Sequence, residues 1–484
     1  MYSNNIDVVV VGLGYAGAAA AIEAHDTGAN VLVVEKMDNS GGNSRVSAGS
    51  LLVAEESKIQ QLKLINYLYR LCSKRTPKKV IETLVQGSLE LEEWIKKRGG
   101  TPYFPEKLLS ISDTYPRSIL GSSFPKLGDD DLKFKKMCIK GKESIFPSVC
   151  LWNLLKDNID SRKIPIVNST QVIKISKDES GVNGVVVQHQ DGSKDEINTK
   201  AVILSCGGHE NNPAMNNEHF DPIEYYYLGT PGNTGDGVRM VQELGADLWH
   251  MSRLSCVMGF KADEFDAAFG IFIPDIGFIY VDRDGNRFCN ETNLELHELY
   301  RCFNQFDTKS STYSREKFWV IFDENTKAKR AITWNISGYN RDLYQWSEDN
   351  SVEIEKGWIK KAESLSELSS ITGMDYLTMT ETMRKYNSQD NEDEFGREPS
   401  TVREMKPPYY AIEVGPALLN TQGGARRDEQ ARVLTPNNEP INGLFSAGEF
   451  GSIWGFLYQG STNISECLVF GRIAGRNAAK LSRK

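Results

Sequence analysis

The chain has 484 residues, 40% of them hydrophobic and 25% charged, which predicts a globular protein of two domains. Its 56 lysines and arginines against 65 aspartates and glutamates leave a net charge of −9, which argues against nucleic-acid and anionic-lipid partners. No apolar run is long enough to cross a bilayer, and the first apolar stretch lacks the basic segment of a signal peptide. We therefore expect a cytoplasmic protein without a transmembrane segment.

The cysteines and histidines do not indicate a metal centre. The eight cysteines and six histidines are scattered, without the close spacings of zinc, iron–sulfur or haem-attachment sites. Scattered thiols also suit a reducing compartment. We therefore expect no metal ion, and we expect any cofactor to be organic.

The first predicted element is a strand, turn and helix of the nucleotide-binding kind. Val8–Val11 form a buried strand, and Gly12, Gly14 and Gly17 complete a G-x-G-x-x-G sequence where an alanine-rich helix begins. The first glycine allows the tight turn, the second lets a pyrophosphate approach the backbone, and the third lets the helix pack on the strand. A second apolar strand ends at Glu35, whose carboxylate is placed to bind ribose hydroxyls. The combination predicts a dinucleotide site.

Two glycine- and serine-rich turns, 40–44 and 47–51, come next. Their composition suits a loop that passes close to a phosphate or to a flat ring of a cofactor. The alternative is a surface loop without a role in binding. The following predicted elements are an amphipathic helix over 78–98, a helix over 151–160, a β-rich stretch over 166–189, a buried strand over Ala201–Leu204 and a helix over 234–244.

The composition changes between about 260 and 405, where charged and small polar residues increase and helices carry acidic faces. This change predicts a separate inserted lobe. A strand over 408–414 is expected to return to the first domain. A further apolar strand at 443–449 and a long helix over 460–481 complete the chain.

These blocks, in this order, resemble the flavoprotein superfamily of fumarate reductases and 3-ketosteroid dehydrogenases. The resemblance runs through nearly the whole chain and is strongest at 7–50, 201–250, 278–291 and 408–477. It implies an α/β fold in which a doubly wound, Rossmann-like FAD-binding domain is built from both chain ends. An α+β capping domain is inserted between the two parts. The implied boundaries are 1–258 and 408–484 for the FAD-binding domain and 259–407 for the cap.

The resemblance also implies where FAD is held. Glu35 matches the adenosine-ribose ligand, 40–44 the pyrophosphate and flavin loop, and Gly448 with Glu449 the ribitol contact, while the last helix points its N-terminus at the flavin. Members with covalent flavin carry a histidine in the 40–47 region, and none occurs here, so we expect non-covalent FAD. The cofactor-binding residues predicted in this way are Gly12, Gly14, Ala16, Gly17, Glu35, Lys36, Ser40, Gly41, Gly42, Asn43, Ser44, Ala48, Gly49, Ser50, Gly207, Gly208, Asp236, Gly448, Glu449, Ser461, Thr462 and Asn463.

The C-terminal loop departs from the fumarate reductase pattern H-G-x-N-R-x-G-G-N. Trp454 stands in place of the histidine and Tyr458 stands near the arginine, so both substrate-binding cations are missing. The cap motif G-x-R-F-x-N-E is present and contains Arg287, but Glu295 lies where the proton-donating arginine is expected, with His297 two residues on. These departures argue against fumarate bound in the usual way.

A tyrosine before a glycine resembles the Y-x-G motif of the ketosteroid dehydrogenases, in which a tyrosine hydroxyl assists proton transfer next to a ketone. The second tyrosine of those enzymes is absent, and Tyr103, Tyr115 and Tyr300 are possible substitutes. The predicted catalytic residues are Tyr458, His297 and Glu295. The predicted substrate-binding residues, an apolar wall and one cation, are Trp454, Phe456, Leu457, Tyr458, Gly460 and Arg287.

Each assignment has a structural alternative. Tyr458 could only pack at the domain boundary, His297 could face solvent, Arg287 could form an ion pair with Glu291, and Trp454 could belong to the core.

We therefore predict an FAD enzyme that moves two electrons across a carbon–carbon bond α,β to a carbonyl, in a hydrophobic 3-ketosteroid-like or comparable flat enone. No haem motif or second flavin domain is found, so an external electron donor or acceptor is expected. One alternative is the reduction of an unsaturated carboxylate of the aryl-acrylate or urocanate type, held by Arg287 or another cap cation. The other is a non-catalytic flavin-binding subunit.

Overall fold

The structure, a computed structural model, describes residues 6–106, 121–141, 146–293, 295–333, 338–388 and 390–482. In chain order its strands are β1 (Val8–Val11), β2 (Val31–Val34), β3 (Leu51–Ala54), β4 (Pro102–Tyr103), β5 (Phe134–Ile139), β6 (Ile166–Val167), β7 (Thr170–Asp178), β8 (Gly181–His189), β9 (Lys194–Asn198), β10 (Ala201–Leu204), β11 (Tyr226–Tyr227), β12 (Leu248–Trp249), β13 (Leu254–Phe260), β14 (Phe269–Gly270), β15 (Phe278–Val281), β16 (Phe318–Asp323), β17 (Lys360–Ala362), β18 (Tyr409–Thr421), β19 (Gly424–Ala425), β20 (Arg432–Leu434) and β21 (Pro440–Ser446).

The helices, in the same order, are α1 (Tyr15–Asp26), α2 (Gly42–Arg45), α3 (Lys58–Leu71), α4 (Lys78–Leu89), α5 (Leu91–Lys96), α6 (Pro147–Ser161), α7 (Pro213–His219), α8 (Asp236–Glu243), α9 (Tyr300–Phe303), α10 (Glu324–Lys327), α11 (Ser351–Glu355), α12 (Leu365–Thr372), α13 (Tyr376–Asn387) and α14 (Thr462–Ser482), with 3-10 turns at Pro125–Leu127, Tyr339–Asp342 and Pro399–Thr401.

A six-stranded sheet in the order β20-β21-β10-β1-β2-β6 forms the first layer, and its strands are parallel except at the β20 edge. Val8 and Val10 point to the face covered by α1 and α14, whereas Val9 and Val11 pack against the β7-β8-β9 sheet. Burial of both faces explains why β1 and β2 are continuous apolar runs without alternation.

The two chain ends meet where α1 packs on α14. A Cβ on Gly471 would lie 2.5 Å from the carbonyl oxygen of Ala16, and one on Gly475 would lie 2.3 Å from that of Ala20. Glycine at these positions lets the two helix backbones approach closely. The prediction of an α/β domain built from both chain ends is confirmed.

A mostly antiparallel second sheet, in the order β14-β13-β18-β16-β15 with β11 and β17 also on β18, carries the cap. The first part of β18 pairs with β16 and β17, and its second part pairs with β13 and β11. The predicted strand over 408–414 therefore belongs to this sheet and does not return directly to the first one, because its backbone partners are cap strands. The division at 258/259 and 407/408 stays a prediction, and it assigns most of β13 and all of β18 to the FAD-binding domain.

The predicted helix over 78–98 is two helices, α4 and α5. The chain turns at Glu90, whose N–H donates to the carbonyl oxygen of Gly87 at 3.3 Å. The turn brings Trp94 onto α1, where its Nε1–H donates to Glu23 Oε1 at 2.5 Å. Tertiary packing thus overrides a continuous apolar periodicity. In the part of the chain described, no helix combines the length and the apolar character that crossing a membrane requires.

Candidate active site

Two adjoining cavities lie at the carboxyl ends of β1, β2 and β10, the edge where parallel α/β sheets bind ligands. We call the one of about 80 Å³ the nucleotide cavity and the one of about 190 Å³ the reaction cavity. The residues that line both are Tyr15, Asn43, Ser44, Glu449 and Cys467.

The glycine turn forms the floor of the nucleotide cavity. Gly12 has φ +89°, and a Cβ there would lie 2.7 Å from the carbonyl oxygen of Ser205. A Cβ on Gly14 would meet Ser44 Oγ at 3.0 Å, and Ser44 Oγ itself accepts the N–H of Tyr15 at 3.0 Å. The turn therefore keeps bare backbone at the cavity, as an approaching pyrophosphate requires.

Most of the predicted cofactor residues line these two cavities. In the nucleotide cavity they are Gly12, Gly14, Ala16, Glu35, Lys36, Gly42, Asn43, Ser44, Gly207, Asp236, Gly448 and Glu449. In the reaction cavity they are Asn43, Ser44, Ala48, Ser50, Glu449, Ser461 and Asn463.

Glu35 ends β2 with its carboxylate held by backbone. Oε2 accepts the N–H of Leu13 at 2.7 Å and Oε1 accepts that of Met37 at 2.9 Å, while burial raises the pKa of the carboxyl group. Lys36 turns away to Asp236, with Nζ 3.0 Å from Oδ2. The carboxylate of Glu35 is thus oriented by main-chain groups.

Six predicted cofactor residues do not line either cavity: Gly17, Ser40, Gly41, Gly49, Gly208 and Thr462. Three of them are needed for close packing. A Cβ on Gly17 would lie 2.1 Å from the carbonyl oxygen of Gly12. One on Gly49 would lie 2.1 Å from the backbone nitrogen of Ser148, and one on Gly208 would lie 2.1 Å from Thr421 Oγ1. Thr462 instead donates its hydroxyl to the carbonyl oxygen of Gln459 at the start of α14.

Where the two cavities join, the buried carboxyl group of Glu210 and the half-buried one of Glu449 share one amide. Asn43 Nδ2 lies 2.6 Å from Glu210 Oε1 and 3.3 Å from Glu449 Oε2. Burial, and then repulsion from Glu210, raise the pKa of Glu449 to about 8, and burial also raises the pKa of Glu210. The pair therefore tends to hold a proton near neutral pH.

Tyr458 lines the reaction cavity four residues before the start of α14 at Thr462. Its hydroxyl oxygen accepts the N–H of Asn463 at 3.4 Å, and burial raises the pKa of the phenol far above its usual value. The phenol therefore keeps its proton. Gly460 and Ser461 line the same wall, so the hydroxyl lies beside the first turn of the helix.

A cap segment, residues 295–301, brings the other two predicted catalytic residues to Tyr458. The His297 ring packs edge-on against the Tyr458 ring at 4.8 Å between centroids, and its Nδ1 lies 2.9 Å from Glu295 Oε1. Glu298 Oε1 accepts the N–H of Tyr458 at 3.0 Å, and burial raises the pKa of Glu298 to about 7. The structure thus brings Tyr458, His297 and Glu295 together.

Four residues predicted to bind substrate do not line the reaction cavity: Arg287, Trp454, Phe456 and Leu457. Trp454 is buried behind Tyr458, with ring centroids 5.7 Å apart, and Leu457 donates its N–H to the carbonyl oxygen of Leu71 at 2.9 Å. Phe456 is exposed, with the Arg301 guanidinium 4.8 Å from its ring centroid. Of the predicted aromatic wall, only Trp454 is thus seen to pack against Tyr458, and it does so from outside the cavity.

Arg287 is held in an ion-pair network of the cap. Its Nε lies 2.8 Å from Glu291 Oε1, its Nη2 lies 2.8 Å from Glu291 Oε2, and its Nη1 lies 2.6 Å from Asp393 Oδ2. Glu291 is fully buried and is also paired with Arg397 at 2.8 Å. Because its charge is matched within the cap, Arg287 is not placed to bind a substrate carboxylate.

The tyrosines proposed as a second catalytic tyrosine do not enter the cavity where the structure describes them. Tyr103 lies in β4 and the buried Tyr300 in α9, and neither is a lining residue. Tyr115 lies outside the described residues.

Several lining residues were not predicted: Tyr15, Lys136, Phe272 and Asn420. Tyr15 follows the glycine turn directly, so its place was available from the motif. Lys136 lies in a short strand without a motif, and Phe272 comes from the cap, so nothing local in the sequence marks them.

Comparison with known proteins identifies the family. The profile of the FAD binding domain family matches residues 7–464. The chain belongs to this family. It is 28% identical to the NADH:fumarate oxidoreductase of Klebsiella pneumoniae, over 99% of this chain but 48% of that protein, so it spans about half the length of that relative. It is 29% identical to the fumarate reductase (cytochrome) of Shewanella frigidimarina, over 99% of this chain and 78% of that protein.

Among solved structures, it superposes on the 3-ketosteroid delta1-dehydrogenase of Sterolibacterium denitrificans with a TM-score of 0.77 and 21% identity, over 99% of this chain and 100% of that chain. This likeness concerns the fold. The family match and the sequence relatives together show that the chain is an FAD-dependent oxidoreductase.

The residues present fit FAD. Bare glycine backbone, a backbone-oriented carboxylate and a long helix starting at the reaction cavity occur in the order that the nucleotide, ribityl and ring portions require. Asn463 Oδ1 is buried at this cavity without a hydrogen-bond partner among the described residues. A buried orphan acceptor beside the helix start indicates a bound group with a donor.

Proposed function

We propose that this FAD-dependent oxidoreductase reduces, or in the opposite direction forms, a carbon–carbon double bond α,β to a carbonyl group. The observation that carries the proposal is the position of Tyr458, which lines a cavity that shares five residues with the nucleotide cavity and whose hydroxyl lies beside the start of α14. A proton donor at this place supplies what two-electron chemistry on a double bond also needs, a proton on the neighbouring carbon.

Bound FAD would supply the electron pair, as a hydride to or from the β-carbon. We propose that Tyr458 gives the proton to the α-carbon, because its raised pKa keeps the phenol neutral until a strong carbon base forms. The N–H of Asn463 then supports the negative charge left on the oxygen.

His297 and Glu295 are proposed to return the proton to Tyr458. The His297 ring contacts Tyr458 and its side chain is 26% exposed, so it lies between the phenol and solvent. Glu295 accepts both the ring Nδ1–H and the backbone N–H of His297, at 2.9 and 2.7 Å, and so fixes the ring. The histidine is thus oriented for transfer from water.

The start of α14 is proposed to stabilise negative charge in the reaction cavity. The helix runs over Thr462–Ser482, and its first backbone N–H groups lie beside Tyr458. The positive end of such a helix favours an anion within its first turn.

The cap segment is proposed to close the site against water. Glu298 accepts the Tyr458 N–H, and the Nη2–H of Arg301 donates to the carbonyl oxygen of Phe456 at 2.9 Å while Arg301 also pairs with Glu298. These contacts hold cap residues on the loop before α14. A closed cavity strengthens each electrostatic contact within it.

The substrate is proposed to be flat and largely apolar. Val257, Phe272, Leu296 and Ile464 support this, because they line the reaction cavity. The sequence favours a 3-ketosteroid-like enone, with an unsaturated carboxylate as the alternative. The relatives are named for fumarate and the structural neighbour for a ketosteroid, and both compounds offer a carbon–carbon bond next to a carbonyl. The electron donor or acceptor is proposed to be external.

The test is a substrate screen on the purified holoenzyme. The flavin absorbance is bleached with a chemical reductant without oxygen, and its recovery is followed after adding a steroid enone or an aryl acrylate. Fast, complete recovery with one compound supports the proposal. A flavin that no activated double bond reoxidises contradicts it and favours a non-catalytic flavin-binding subunit.

A further inference from the structure

Three arginines from separate parts of the chain surround one exposed phenylalanine. Arg75 lies between α3 and α4, Arg253 lies just before β13, and Arg301 lies in α9. Their guanidinium carbons lie 5.9, 5.8 and 4.8 Å, respectively, from the centroid of the Phe456 ring, which is 37% exposed. We call these four residues the arginine patch.

The loop before α14 orients the arginine patch through its main chain. The Nη1–H of Arg75 donates to the carbonyl oxygen of Gly455 at 3.2 Å. The carbonyl oxygen of Phe456 accepts from Arg301 Nη2 at 2.9 Å and from Arg253 Nη1 at 3.5 Å. Contacts with neutral carbonyl groups fix the direction of the guanidinium groups without cancelling their charge.

The arginine patch places positive charge on the surface of a protein whose net charge is −9. Within the part of the chain that the structure describes, no carboxylate pairs with Arg75 or Arg253, which bond instead to backbone carbonyl groups. The exposed Lys74 and Lys78 lie in the same turn as Arg75 and add to the charge. A local positive field of this kind attracts a partner with a negatively charged face.

The arginine patch adjoins the reaction cavity from outside. Phe456 precedes Tyr458 by two residues, and Glu298 connects the two sides, because it accepts the Tyr458 N–H at 3.0 Å and pairs with Arg301 at 2.6 Å. The four residues of the patch line neither the reaction cavity nor the nucleotide cavity. A partner on the patch would therefore lie against the loop whose next residues form the wall of the reaction cavity.

We propose that the arginine patch docks an acidic one-electron carrier protein that exchanges electrons with the bound flavin. This inference rests on the proposed function, because a carrier is needed only where the flavin turns over. Arginines around an exposed aromatic side chain are typical of protein–protein interfaces, whereas a small cofactor is usually held in a concave site. Two reduced carriers each lose one electron, and the flavin takes up both electrons with two protons from water. In the oxidative direction the same transfers run backward.

The experiment uses the oxidised holoenzyme and reduced flavodoxin, an acidic one-electron carrier, as the probe. The rate of electron transfer is followed without oxygen as the flavodoxin semiquinone forms, from about 20 to about 300 mM salt. Two proteins of net negative charge repel each other, so the rate would rise with salt if no basic surface took part. With the arginine patch as the docking site, the rate is expected to fall by about tenfold or more.

The test variant is Arg75→Gln/Arg253→Gln. It should slow reduction by flavodoxin about tenfold at low salt and change reduction by methyl viologen radical, a small cation, by less than about twofold. Calorimetric titration with oxidised flavodoxin should show a matching loss of affinity. The matched control, Arg384→Gln/Lys385→Gln, removes two exposed charges from α13 and should behave as the wild type. If the test variant does not retain FAD, Arg253→Gln alone is measured in its place.

The inference is overturned if the rate rises with salt, if the test variant is no slower than its control, or if flavodoxin neither binds nor reduces the enzyme. Reduction by NADH that depends on the two arginines would also overturn it, by assigning the arginine patch to a dinucleotide.

The proposed function is judged separately, with enzyme reduced by methyl viologen. Reoxidation of that enzyme by an activated double bond supports the reaction even where docking fails. Arginine-dependent reduction by flavodoxin, in an enzyme that no double bond reoxidises, supports the docking site and contradicts the reaction.

Discussion

The nucleotide cavity and the reaction cavity share five lining residues, but the rest of their walls comes from different parts of the chain. The nucleotide cavity includes six glycines, and at Gly12 an added Cβ would meet the main chain, 2.7 Å from the carbonyl oxygen of Ser205. The reaction cavity is lined by residues from the segment 43–50, β5, the cap, the loop before α14 and α14 itself. Backbone that a whole family uses for its cofactor can vary little, whereas side chains that contact a substrate can vary without disturbing the fold.

The largest effect is expected from Gly12→Val. The residue has φ +89° and its Cβ would lie 2.7 Å from the oxygen of Ser205, so we expect loss of bound FAD and of all activity. FAD content and thermal stability measure the outcome. The control is Gly99→Val, which has a similar φ of +85° but nothing within 4 Å, and which should keep its FAD at a cost of about 1–3 kcal/mol. Equal FAD loss in both variants would contradict a backbone-built cavity.

At the reaction cavity, Tyr458→Phe should lower kcat by about 10²- to 10⁴-fold and leave FAD content unchanged, because only the proton donor is removed. Single-turnover reoxidation of the reduced flavin by its best substrate measures this. Tyr300→Phe removes the hydroxyl of another buried tyrosine, one that does not line the cavity, and should leave kcat nearly unchanged. An unchanged rate in Tyr458→Phe would remove the tyrosine from the reaction.

Arg287→Met distinguishes a role of Arg287 in protein stability from a role in substrate binding. Leaving the buried Glu291 with one fewer cation should destabilise the protein by about 3–5 kcal/mol, with KM changed by less than about threefold. Denaturant unfolding and initial rates are compared. Arg384→Met removes an exposed partner of Glu381 and should have little effect on either. A large rise in KM at unchanged stability would instead show that Arg287 binds the substrate.

The smallest expected effect is a pH dependence of stability that comes from Glu298, at the contact between the cap segment and the loop before α14. Burial raises the pKa of Glu298 to about 7, so the folded state binds a proton more tightly than the unfolded chain. Its contribution to stability is therefore full below about pH 4.5 and is lost as pH rises to about 7, by at most about 3 kcal/mol. Unfolding free energies at pH 5 and pH 8 should differ less in Glu298→Gln than in the wild type. An equal difference in both would assign the effect to other groups.

The two cavities also differ in how far they could be predicted. Gly12, Gly14 and Glu35 lie in one continuous segment, so a local pattern was enough to place them. Lys136 and Phe272 carry no pattern, because each enters the site only through sheet pairing and cap packing. Arg287 has a recognisable motif, but the partners that neutralise it include Asp393, which lies far along the chain.

The same limit applied to the fold. The buried strand Ala201–Leu204 and the helix α14 were evident from apolar runs and periodicity. The break at Glu90 and the place of β18 were not, because they depend on contacts with α1 and with the cap strands.

The amino-acid sequence by itself determined the FAD fold and the presence of Tyr458 before the last helix, since glycine turns and apolar runs act over neighbouring residues. Only the tertiary structure decided which side chains face the substrate. It brought His297 to Tyr458, neutralised Arg287 within the cap and turned Lys136 into the cavity. The physical reason is that charge and access in a buried site depend on every segment packed around it, and those segments are distant in the chain.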